Sequence, residues 1–236
     1  MRRALPMLAA ATMAGGLWLA LSSPPDAVQG DFVRILYIHV PSAWLAFLAF
    51  GITAAGSLAW RMTRRQRFDD LAAASAEVGV LFTVITLLTG SIWGRPVWGV
   101  WWSWGDARLS TTALMLFVYL GYLALRRAVE DPERRARLAS VLGLVAVVQI
   151  PLVYFSVNLW RTLHQTQTIR PDGPQMDPEM VAALLVNVAA FTLLYVALVA
   201  VRLRVGRAEA AATEANARPA GAAVGVPQLG GGPDVA

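Results

Sequence analysis

The chain has two histidines, His39 and His164, and no cysteine. A neutral imidazole is a good ligand for iron, copper and zinc. Five of the nine tryptophans (Trp93, Trp98, Trp101, Trp102 and Trp104) fall between residues 93 and 104. The cluster then closes on charge: WGVWWSWGDARLS, residues 98–110, carries Asp106 and Arg108, and Arg95 lies just upstream. Indoles offer large, rigid, flat apolar surfaces. Arginines bind carboxylates through forked, charge-assisted hydrogen bonds. Together these side chains suit haem, a flat apolar macrocycle with axial positions on its iron and two carboxylates on one edge. In this reading His39 and His164 are the axial ligands. Trp93, Trp98, Trp101, Trp102 and Trp104 form a platform for the ring, and Arg95 and Arg108 take the propionates.

Each element also has a plainer explanation. Tryptophans collect at membrane interfaces as aromatic belts, although a belt scatters over many helix ends and this group is confined to twelve positions. Asp106 suits the N-cap of a helix beginning near Leu109, a role compatible with ligand binding. A single histidine at a helix end is ordinarily an interfacial residue, and Arg95 could simply extend along apolar surface towards water.

The elements that must position these residues are membrane helices. The chain has 236 residues, 57% of them hydrophobic and 15% charged, whereas soluble domains average about 45–50% and about 25%. Its mean hydropathy is +0.53. Six apolar runs approach the roughly 20 residues needed to cross a bilayer: Leu5–Leu21, Val40–Trp60, Leu71–Ile92, Leu109–Leu125, Leu138–Asn158 and Met180–Val201. The first could instead be a cleaved signal peptide, but Ser22-Ser23-Pro24-Pro25 is a poor cleavage site, so a retained helix is expected. The fold class is therefore all-α, a six-helix polytopic bundle with a Trp-rich outer-face loop. Residues 1–205 form the membrane domain, and 206–236 read as a disordered cytoplasmic tail.

All twenty basic residues are arginine. Fifteen fall at the termini and in the loops after the second and fourth runs, and five on the opposite side. Positive charge stays inside, so both termini are cytoplasmic and both histidines and the tryptophans face outward. A pI near 10.4 therefore reflects topology rather than nucleic-acid binding. Lysine is absent, which excludes a P-loop ATPase. His39 precedes Val40-Pro41, where proline suits a first helical turn. Glu77, inside the third run, is either functional or paired with an arginine of the 61–67 loop. Gln149 and Asn187 should hydrogen-bond between helices, and Pro151 should kink the fifth run.

With these residues in place, the sequence resembles the WWD-motif haem-handling membrane proteins, and among them the CcmC family of bacterial cytochrome c maturation. WGVWWSWGDARLS resembles the WWD motif, and YIHVPSAW at 37–44 and LWRTLHQ at 159–165 resemble the family's two histidine segments. The likeness covers about residues 1–205. It implies a protein of the bacterial inner membrane that holds haem b at its periplasmic face and passes it to the haem chaperone CcmE. The implied partners are the small helper CcmD and the ABC transporter subunits CcmA and CcmB. It implies His39 and His164 as axial ligands, and covalent attachment of haem to the chaperone as a reaction it would assist. One departure stands out: the family places aspartate directly after the last tryptophan, and here Gly105 intervenes. The rival expectation is a b-type cytochrome exchanging electrons with quinol, and a second is a transporter moving haem or another aromatic anion through its core.

Overall fold

In a computed structural model, residues 4–165, 169–170, 173–174 and 176–217 are described. The elements run α1 (Ala4–Ser22), a 3-10 turn (Asp31–Ile35), α2 (Leu36–Thr63), α3 (Gln66–Trp98), α4 (Ala107–Ala128), α5 (Pro132–Ala146), α6 (Gln149–Leu159), β1 (Ile169–Arg170), β2 (Gly173–Pro174) and α7 (Pro178–Ala217). With α5 and α6 counted as one crossing, six stretches among the described residues are long and apolar enough to span a membrane. The chain is a multi-pass helical membrane protein.

The ends of these helices follow from local chemistry. Arg64 adopts a left-handed conformation (φ 56°) and its N–H closes on the Trp60 carbonyl at 2.7 Å, which ends α2. Gly99 does the same for α3 with φ 78°, a conformation that favours glycine. Asp106 caps α4, its Oδ1 accepting from the Leu109 N–H at 2.9 Å. Asp131 caps α5 through the Arg134 N–H at 2.7 Å, with Pro132 in the first turn. The fifth run breaks at Val147–Val148, three to four residues ahead of Pro151: proline has no N–H for the Val147 carbonyl, which accepts instead from the Ile150 N–H at 3.0 Å in a tighter turn.

Two expectations shift. The α2 helix begins at Leu36, so His39 sits a turn inside it and Pro41 lies within the helix rather than at its first position. The Ile35-Leu36-Tyr37-Ile38 segment continues the apolar pattern backwards and is helical for that reason. The α7 helix continues through residues 206–217, within the expected tail, because Ala, Glu and Arg there are good helix formers. Residues 218–236 of that tail lie outside the described residues.

Residues up to Leu203 form one compact unit that contains the whole site described below. Its centre is the close pairing of α2 and α3. Small residues allow the backbones to approach: a Cβ on Gly79 would lie 2.6 Å from the Phe50 ring. Ser75 Oγ donates to the Ala49 carbonyl at 2.7 Å across the same pair. Phe50 in turn stacks on Tyr119 of α4, and Tyr119, Tyr122, Met115 and Ala139 complete this core. Asn187 of α7 donates to the Gly16 carbonyl of α1 at 2.8 Å, the interhelical bond expected of it. Glu77 pairs with Arg202 of α7 rather than with the 61–67 loop. Near the same end, Asp69 and Arg126 form a buried two-pronged ion pair at 2.6 and 2.8 Å.

Candidate functional site

Consecutive helices run in opposite directions, so the start of α2, the end of α3, the start of α4 and the end of α6 lie at one end of the bundle. There they enclose a cavity of about 350 Å³ lined by His39, His164, Trp93, Trp98, Arg108, Tyr154, Gln29, Leu184 and a few neighbours. Ligand-binding clefts typically run from about 300 to 1,000 Å³. The cavity thus gathers both histidines, two of the tryptophans and one of the arginines singled out from the sequence.

Each histidine is held by its Nδ1 and by the edge of an indole. His39 Nδ1 lies 3.1 Å from Thr89 Oγ1, and the Thr89 hydroxyl proton is directed to the Ile85 carbonyl at 2.7 Å. With the hydroxyl donating there, Thr89 Oγ1 is left as an acceptor for an Nδ1–H, the tautomer that keeps the lone pair on Nε2. Trp93 meets the His39 ring edge-on at 5.7 Å, and its Nε1–H donates to Gln29 Oε1 at 2.8 Å. Gly90 makes room for the ring: a Cβ there would lie 3.0 Å from His39 Cε1.

His164 follows the same plan with a different partner. Its Nδ1 lies 3.3 Å from Asp106 Oδ1, and Trp98 meets the ring edge-on at 4.7 Å. Burial is the main force lowering the His164 pKa, Arg108 adds to it, and Asp106 opposes both. The imidazole is therefore neutral at physiological pH. Burial alone would raise the Asp106 pKa, but hydrogen bonds from Thr162, Leu109 and Leu163 outweigh it and keep the carboxylate ionised.

The remaining candidates separate. Arg108 NH2 donates to the Tyr154 carbonyl at 3.0 Å, while its buried Nε–H has no protein partner. An unpaired buried donor at a cavity wall favours an anionic acceptor. Arg95 instead turns to the Gly99 carbonyl at the end of α3 and does not line the cavity. Trp101 and Trp104 are 59% and 72% exposed, outside the cavity. Trp102 packs edge-on against Trp104 at 5.1 Å. The extra Gly105 falls in a tight turn closed by the Asp106 N–H on the Ser103 carbonyl at 3.1 Å. Ser110 Oγ then donates to the Trp104 carbonyl at 2.7 Å, and Asp106 still reaches its capping position.

Sequence reasoning missed Gln29, Thr89, Gly90, Tyr154 and Thr162. These are ordinary residue types whose roles come from position, and only the local spacing of Thr89 and Gly90 before Trp93 hints at a shared helix face.

The donor set discriminates between metals. Among the described residues, no group of three or more His, Cys, Asp or Glu could hold a bare metal ion. Zinc wants three or four protein ligands. Two imidazoles suit an iron whose four equatorial positions are already filled by a macrocycle.

Six apolar spans with a cavity lined by two histidines and two tryptophans at one end define a class: multi-pass helical membrane proteins with a ring-lined cavity at one end of the bundle. Over residues 1–218 the sequence matches the family described as heme exporter protein C, and the chain belongs to this family, CcmC. It is 46% identical over 200 residues to heme exporter protein C of Bradyrhizobium diazoefficiens, covering 83% of this chain and 76% of that one. Identity to the Escherichia coli protein of the same name is 38% over 208 residues, 85% and 82% of the two chains. A Marchantia polymorpha protein described as a putative cytochrome c biosynthesis ccmC-like mitochondrial protein is 37% identical over 175 residues, 74% and 72% of the two.

Proposed function

We propose that this protein holds haem b between His39 and His164 at the periplasmic face of the bacterial inner membrane and delivers it to the chaperone CcmE during c-type cytochrome biogenesis. The observation that carries the reading is the cavity at the tryptophan end. Its two imidazoles each have a polar partner at Nδ1, and ring nitrogens fixed through the opposite nitrogen are the usual form of histidine metal ligands. Haem is the cargo. Trp93 and Trp98 line the space for the ring, and the orphaned Nε–H of Arg108 supplies a donor for a propionate. Arg95 is bound to its own helix end, so Arg108 is the first choice for that contact. Trp101 and Trp104, exposed beside the cavity, form the surface that an incoming chaperone meets.

The family resemblance supports CcmE as recipient and CcmD, CcmA and CcmB as partners. The chain has no lysine and hence no P-loop of its own. Energy for releasing the loaded chaperone therefore comes from a partner ATPase. The distribution of arginines supports a periplasmic site with both termini in the cytoplasm.

Handover is tested with purified haem-loaded protein in nanodiscs mixed with CcmE. Haem should leave this chain and appear on the chaperone, and the double variant His39→Ala, His164→Ala should transfer none. Full loading of CcmE by the double variant contradicts the proposal. Reversible quinol-linked redox cycling without haem loss would favour the b-type cytochrome instead.

A further inference from the structure

The two imidazoles are not held alike. His39 is backed by a neutral hydroxyl, Thr89, on the neighbouring helix. His164 is backed by Asp106, which is only 2% exposed and does not line the cavity. Its carboxylate collects bonds from two separate segments. Oδ1 accepts from the Leu109 N–H of α4 at 2.9 Å and faces His164 Nδ1 at 3.3 Å. Oδ2 accepts from Thr162 Oγ1 at 2.5 Å and from the Leu163 N–H at 2.6 Å. Thr162 Oγ1 also accepts from the His164 N–H at 3.1 Å and lies 3.4 Å from Nδ1.

We infer that Asp106 and Thr162 form a latch that fixes the 162–164 segment to the start of α4 and thereby aims His164 into the cavity, making Asp106 a positioning residue rather than a contact for the ligand. The proton count fixes the tautomer that this latch holds. Thr162 has one hydroxyl proton, and Asp106 Oδ2 takes it. Both oxygens facing His164 Nδ1 are then acceptors, so Nδ1 must carry the proton and Nε2 the lone pair. His164 lies outside any helix, so the latch replaces the order that α2 gives His39. None of the latch bonds touches His39, and the two histidines can thus be loosened separately. That consequence for haem rests on the reading that both imidazoles hold its iron.

The test exploits a chain with only two histidines. Full-length protein with 15N-labelled histidine gives two sets of ring signals in the apo state, recorded at neutral pH. Asp106→Asn keeps an amide oxygen for the α4 cap but brings an NH2 to the latch, where only acceptors fit. Thr162→Val keeps the shape of Thr162, leaves the Asp106 cap intact, and guards against a folding defect in the first variant. In wild type, His164 should be the Nδ1–H tautomer alone. In both variants it should become a mixture, with His39 unchanged and with Thr162→Ser restoring the wild-type signals. Haem retention should fall about 10–100-fold in Asp106→Asn, the usual effect of losing a carboxylate behind a ligating histidine. An unchanged His164 tautomer in both variants overturns the latch. A changed tautomer together with wild-type haem retention in His164→Ala leaves the latch standing and overturns the haem-ligand reading instead.

Discussion

If the imidazoles hold haem iron as proposed, a proton competes with iron for the lone pair, and the electrostatics around each histidine set the pH range in which the site works. Burial, with Arg108 adding to it, lowers the His164 pKa. The folded protein therefore binds this proton less readily than the unfolded chain. The stability linked to His164 is complete above the unfolded value of about 6.5 and is lost progressively as pH falls below it. Haem retention should accordingly hold level down to about pH 6.5 and decline only in more acidic buffer, as read from Soret amplitude during a titration. A decline beginning at mildly alkaline pH would mean that the ring is solvated. Gly90 gives a second prediction. A methyl group 3.0 Å from His39 Cε1 forces the ring to shift, so Gly90→Ala should move the Soret spectrum part of the way towards that of His39→Ala. Rarity and clustering made the histidines and tryptophans legible in the sequence. Thr89, Gln29 and Thr162 were not, because nothing in a threonine or glutamine marks it until a partner from another segment is beside it.

Hydropathy exposes helices better than it exposes their ends. All six apolar runs are helical, and the break near Pro151 follows from a missing N–H. Only coordinates revealed that α2 starts at Leu36 and that α7 continues to Ala217, because tertiary contacts and good helix formers extend both beyond their apolar cores. Ion pairs between helices were equally hidden. Glu77 was visible as an intramembrane acid, but its partner Arg202 lies 125 residues away. The buried Asp69–Arg126 pair joins α3 to α4. Removing one member leaves an uncompensated buried charge, at a cost of about 3–5 kcal/mol. Asp69→Asn should therefore lower the unfolding free energy in detergent by about that amount, read as an earlier denaturation midpoint, while leaving the haem spectrum of the folded fraction unchanged. A spectral change there would mean that the two ends of the bundle are coupled.

At the scale of the whole molecule, the arrangement separates jobs by end. Most arginines and the interhelical Arg–carboxylate pairs gather at one end, and both histidines, most tryptophans and the cavity at the other. The proposed topology places the second end in the periplasm, and a chain without cysteine allows a clean test. A cysteine introduced at Val28, 92% exposed in the loop between α1 and α2, should react in intact spheroplasts with a membrane-impermeant maleimide. One introduced at Glu130, between α4 and α5, should not. The opposite pattern would invert the topology and place the cavity in the cytoplasm. The sequence indicated that the histidines share a side of the membrane, but the cavity that brings them together depends on how four helix ends pack, which periodicity does not encode.

The central claim is that His39 and His164 grip one haem iron from opposite faces, and the absorption spectrum of purified, haem-loaded protein tests it most directly. The wild type should show the sharp low-spin bands of two axial imidazoles. His39→Ala and His164→Ala should each shift the Soret band and turn the iron high-spin, and the double variant should retain little pigment. A low-spin spectrum identical to wild type in either single variant would contradict the account.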